Sequence, residues 1–90
     1  MKLSESKNLK WDKMPWVGPS EGMERFHPDQ CSLEKTERTD DKFVLYFKNG
    51  SRAIIRAQNI EGGREIDLIE NRIAGFLGRS YEEILKMDVK

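Results

Sequence analysis

The sequence predicts a small α+β protein: a two- or three-stranded antiparallel β-meander with two short C-terminal helices packed on one face, preceded by an irregular N-terminal arm. Three observations point there. Phe43 to Ile60, FVLYFKNGSRAIIRAQNI, holds two runs of aromatic and β-branched residues joined by Asn49-Gly50, and Asn-Gly supplies the positive φ that both central positions of a type I′ hairpin turn require. Beyond Glu61-Gly62-Gly63, apolar residues recur at helical spacing. Ahead of both, residues 1–22 are broken by Pro15, Gly18, Pro19 and Gly22, which leaves no room for a regular element.

Ninety residues make one domain, read here as an arm over 1–22 and an α+β unit over 23–90. A chain this short buries only about 60% of the surface its unfolded form exposes. Its hydrophobic content of 37% against 36% charged residues, with a mean hydropathy of −0.75, is polar yet foldable. Sixteen basic residues balance 16 acidic ones, so any preference for nucleic acid or an anionic membrane has to be local. The single cysteine, Cys31, has no internal partner for a disulfide, and MKLSESKNLK lacks the apolar run of a signal peptide. Together these predict a reducing, cytoplasmic setting. No stretch approaches the ~20 apolar residues of a membrane-spanning helix, and no membrane partner is expected.

In the arm, Lys2, Lys7, Lys10 and Lys13 are interspersed with Glu5 and Asp12. Trp11, Met14, Trp16 and Val17 are costly to leave in water, so this section is expected to dock on the uncovered face of the sheet or on another molecule. Next come Phe26 and His27, the latter biased away from helix by Pro28. His27 and Cys31 are the only cluster with metal or thiol character. A zinc site takes about four ligands from paired motifs, so neither a metal nor a cofactor is expected. Gln30 to Arg38 alternates weakly and reads as a third strand, with Thr39-Asp40-Asp41 as the turn into the hairpin.

A two-residue loop sets Lys48 opposite Ser51, followed by Phe47 with Arg52, Tyr46 with Ala53, Leu45 with Ile54, Val44 with Ile55 and Phe43 with Arg56. One face then carries Phe43, Leu45, Phe47 and Ile54, edged by Arg52 and Arg56; the other carries Val44, Tyr46, Ala53, Ile55 and Ala57. Both faces are apolar, so both call for cover.

A helix is predicted from about Arg64 to Leu77. Ile66, Ile69, Ile73, Phe76 and Leu77 form its buried stripe, with Leu68 beside them, and Glu65, Asp67, Glu70, Asn71 and Arg72 its outer face. Gly78 is placed to end it. Ser80-Tyr81-Glu82-Glu83 has the spacing of a capping box and opens a second helix to about Met87, burying Tyr81, Ile84 and Met87. Within ENRIAGFLGRSYEEILKMDV, Ile73 and Ala74, then Leu77-Gly78, then Ile84 and Met87 occupy the packed and turn positions of a helix-turn-helix. Over this fifth of the chain it resembles DNA-binding regulators. The resemblance implies that Ser80 to Lys86 enters a major groove, yet Glu82 and Glu83 would then meet phosphates.

One histidine and one cysteine, with no spacing that sets a base beside a nucleophile, predict no enzymatic activity. The leading expectation is a protein-interaction module, either a homodimer or a subunit, adaptor or inhibitor of a larger protein, making contact through Trp11, Trp16, Phe43, Leu45 and Phe47. The alternative is a nucleic-acid-associated protein using Lys48, Arg52, Arg56 and Arg79. Lys42, Lys48, Arg52, Arg56 and Arg64 face only Glu61 within their stretch, and arginines beside Phe43 and Phe47 would stack bases and grip phosphates. Gly62-Gly63 before a helix start is a possible anion cradle, opposed by Glu61, Glu65 and Asp67. Asn49-Gly50-Ser51 is formally a glycosylation sequon, but its role as a turn explains it.

Overall fold

The computed structural model describes residues 2–17 and 25–89, and its centre is a four-stranded antiparallel sheet rather than a bare meander. The strands are β1 (Leu9–Met14), β4 (Leu33–Arg38), β5 (Lys42–Phe47) and β6 (Arg52–Ala57), in the spatial order β1-β6-β5-β4. A separate two-stranded ribbon pairs β2 (Trp16–Val17) with β3 (Arg25–Phe26). Helix α1 (Ile60–Arg72), a 3-10 turn over Ile73–Phe76 and helix α2 (Tyr81–Leu85) complete the α+β architecture. The arm was expected to be irregular, and over Leu9–Met14 it is instead the edge strand beside β6. Leu9 and Trp11 turn inward while Lys10 and Asp12 turn out, an alternation partly hidden by Lys13. The breakers Gly18, Pro19 and Gly22, and the expected boundary at residues 22 and 23, lie outside the described residues.

The hairpin is present, but its loop holds three residues, not two. Phe47 N–H donates to the Ser51 carbonyl (2.9 Å) and Gly50 N–H to the Phe47 carbonyl (3.0 Å), while Gly50 takes up the left-handed conformation (φ +87°). Asn49 Oδ1 accepts from the Ser51 amide (3.0 Å) and hydroxyl, a side-chain bond that holds the longer loop closed. Pairing therefore shifts by one: Phe43 faces Ile55, Leu45 faces Ala53 and Tyr46 faces Arg52. A one-residue slip inverts a whole strand. Arg52, Ile54 and Arg56 move to the face of Val44 and Tyr46, away from Phe43 and Phe47, and Ala53 and Ile55 join the core.

That core face is sealed by the chain itself. Phe43, Leu45, Phe47, Ala53 and Ile55 are buried with Leu9 and Leu33 of the flanking strands, Ile66 and Ile69 of α1, Ile73, and Tyr81 and Ile84 of α2. At one end Leu3, on a 3-10 turn over Leu3–Glu5, donates from its N–H to the Met87 carbonyl (2.7 Å) and is wholly buried with Val89.

Helix α1 starts four residues earlier than its apolar stripe suggests. Asn59 Oδ1 caps Gly62 N–H (2.9 Å), so Gly62-Gly63 lie inside the first turn rather than before it, and no glycine cradle precedes the helix. A Cβ on Gly62 would sit 2.2 Å from the Asn8 carbonyl oxygen; glycine here lets the helix approach the start of β1. Glu65, expected outside, is buried because it faces that same segment: its carboxylate accepts from the Ser6 hydroxyl and from Asn8 Nδ2 (3.3 Å). At the other end α1 tightens into the 3-10 turn at Ile73. The tighter winding rotates Leu77 out of the stripe, leaving it half exposed. Gly78 takes φ +84° as expected, and its amide and the Arg79 carbonyl bond to Leu33 at the head of β4 (2.9 Å each). Ser80 caps α2 by accepting from Glu83 N–H (3.3 Å), but α2 is only five residues long, and Met87 is buried beyond it.

Tyr81 joins the layers, meeting Trp11 (5.7 Å between ring centroids) and Phe47 (6.0 Å) edge-on. Burial pushes its phenol from 10.0 up to about 12, with the negative charge of Asp29 adding to the shift. The neutral form is favoured in the native state. Its contribution to stability is therefore complete below about pH 10 and is lost as pH rises through 10 towards 12. In urea unfolding across that range, the wild type should lose stability more steeply than Tyr81→Phe; equal slopes would refute this.

Candidate functional site

At the exposed end of β1, Pro15 interrupts the strand, and the chain re-forms a short ribbon beside the hairpin loop. Trp16 pairs with Phe26 and Val17 with Arg25. The rings of Trp16 and Phe26 stack, with centroids 5.6 Å apart and planes inclined by 26°. Behind them lies Gly50, where a Cβ would touch Trp16 Cγ and Cδ2 at 3.0 Å, so the glycine that makes the turn also admits the indole. Asn49 Nδ2 donates to the His27 carbonyl (2.9 Å) and ties the loop to the residue after β3. Trp16, Phe26, Lys48, Asn49 and Gly50 line an open, mainly apolar cleft of about 420 Å³. Met14, Trp16 and Val17 remain 44%, 42% and 48% exposed, which makes this the largest run of exposed apolar side chains among the described residues.

The five residues expected at a protein interface separate. Trp16 stands at the cleft. Phe43, Leu45 and Phe47 are sealed in the core by the chain's own helices, because the register and the two helices supply the cover that the sequence asked for. Trp11 is half-buried against Tyr81, its indole N–H enclosed without a partner. Phe26, which completes the aromatic shelf, was visible only as an isolated aromatic; its pairing with Trp16 depends on a ribbon too short to leave a periodic signal.

The four residues of the nucleic-acid reading also separate. Lys48 lines the cleft, while Arg52 and Arg56 stand on the open sheet face opposite Tyr46 and Lys42. Arg79 is held by Glu83 (2.9 Å), and that hydrogen bond lowers the Glu83 carboxyl below its ordinary range. A five-residue α2 headed by Glu82 and Glu83 is too short and too acidic for the groove-entering helix that the helix-turn-helix resemblance implied.

No group of three or more His, Cys, Asp or Glu side chains is arranged to hold a metal ion among the described residues. Cys31 is free and half-buried, and His27 spends its backbone N–H on Gln30 Oε1 (3.0 Å). No helix among these residues is long and apolar enough to cross a membrane. Comparison with protein-family models, with curated proteins and with solved structures finds no match to this chain.

Proposed function

We propose that this chain is a non-enzymatic protein-interaction module whose contact surface is the aromatic shelf of Trp16 and Phe26. The exposed, stacked Trp16 beside the cleft carries the reading. A tryptophan held rigid by stacking and by the loop behind it loses little conformational freedom on binding, and residues of this kind dominate interface energetics. The partner lays an aromatic or long aliphatic side chain into the cleft lined by Trp16, Phe26 and Lys48–Gly50, with Met14 and Val17 as an apolar rim.

Trp16→Ala separates this function from folding, since Trp16 lies outside the buried core. Wild type and variant should melt alike. A fixed set of proteins recovered with the wild-type bait should drop at least about tenfold with the variant, the effect of an anchor contributing on the order of 2 kcal/mol. Sedimentation across concentrations distinguishes a second copy of the chain from a different partner. A wild type that stays monomeric and recovers the same proteins as Trp16→Ala would rule the reading out.

A further inference from the structure

The register of the sheet places three cations directly opposite one another on its open face. Lys10 of β1 faces Arg56 of β6, and Arg56 faces Lys42 of β5. Neighbouring strands lie about 4.8 Å apart, so the row spans roughly 10 Å. Like charges directly opposite one another destabilise a sheet, and little within the molecule offsets them. Among the described residues Lys10 and Lys42 have no ion pair, and Arg56 reaches only Asp12, at 3.6 Å. Further along the same face Arg52 stands opposite Tyr46, whose other neighbour is Lys35. The carboxylate at that edge, Glu37, already accepts from the Tyr46 hydroxyl (2.9 Å).

We propose that this open face binds single-stranded nucleic acid, with the phosphates running along the Lys10–Arg56–Lys42 row. The occupant follows from what the face offers. Val44 and Ile54 at its centre are only 6% and 8% exposed and its one exposed apolar side chain, Met14, stands at the edge opposite Arg52, too little to anchor a partner by hydrophobic burial, whereas Lys10 and Lys42, without ion pairs among the described residues, suit a polyanion that releases counterions as it binds. The surface is a sheet face with one aromatic ring, Tyr46, over which Lys35 Nζ lies (5.1 Å to the centroid); the lysine moves to a phosphate as a base of an extended strand stacks on the ring. Among the described residues no helix lies on this side to enter a duplex groove. None of the three cations lines the Trp16 cleft, so the two proposals are tested by different variants.

Fluorescence anisotropy of labelled oligo-dT and oligo-U, with intact protein, tests it. Three neutralised phosphates predict a salt slope of about −2, so affinity should fall about 20-fold between about 50 and about 200 mM salt. The triple variant Lys10→Gln, Lys42→Gln, Arg56→Gln should abolish most of that slope while melting no lower than wild type, since it removes like-charge repulsion at two exposed positions and one half-buried one. Trp16→Ala should bind the oligonucleotides normally. The proposal is overturned if wild type gives no anisotropy change at low salt, if the triple variant keeps the wild-type slope, if duplex binds more tightly than single strand, or if poly-glutamate of equal charge competes as well as the oligonucleotide.

Discussion

Gly62→Ala should destabilise the protein by about 2–3 kcal/mol, while Gly63→Ala, one residue further on, should stabilise it by about 0.5–1 kcal/mol. Both glycines lie in the first turn of α1, and alanine is the better helix former at each by up to about 1 kcal/mol. Their surroundings decide the sign. A Cβ at Gly63 meets nothing within 4 Å, whereas at Gly62 it meets the Asn8 carbonyl oxygen at 2.2 Å and Ala57 Cα at 3.1 Å. Those are backbone atoms, and the Asn8 carbonyl is itself fixed by the Gln58 N–H (2.8 Å). The clash is relieved only by lifting the helix from β1 and β6. Urea titrations of the two variants beside wild type measure the difference, and midpoints that shift in the same direction would contradict the close approach.

Leu3→Ala is expected to cost about 2–5 kcal/mol, the range for a fully buried leucine truncated in a core. Against a total stability on the order of 5–15 kcal/mol for a domain, that is enough to leave much of the protein unfolded near its physiological temperature. Leu3 is wholly enclosed, together with Met87 and Val89, by segments from opposite ends of the described chain. Leu77→Ala provides the contrast. Leu77 falls on the apolar stripe of the helix by spacing, yet it is 51% exposed, so its loss should stay within about 0.5 kcal/mol. Thermal melts that ranked the two variants in the opposite order would show that the N-terminal segment is not part of the core.

Where the signal was local, the sequence was legible. Asn49-Gly50 marked the hairpin, Ile66, Ile69 and Ile73 marked the helix face, and Gly78 and Ser80 marked the break and restart after it. The errors arose where a distant contact decided the outcome. Leu9–Met14 is a strand only because β6 offers it an edge, and Glu65 is buried only because Ser6 and Asn8 come to meet it. The register turned on one residue of loop length, set by the Asn49 side chain bonding to Ser51, and through it the chemistry of both sheet faces changed. The candidate sites show the same division. Trp16 stood out as an aromatic with few neighbours, whereas the cation row exists only once β1, β6 and β5 are aligned.

The strand order also bears on how the molecule assembles. Strands β4, β5 and β6 follow one another through tight turns, whereas β1 must wait for β6, which is made from a distant part of the chain. Bringing remote segments together carries the larger closure entropy and slows folding. In pulse-labelling exchange during refolding, the amides of β5 and β6 that face one another should therefore gain protection first, and those shared with β1 last. By the same ordering, β1 is the strand that peels away when the native molecule opens locally.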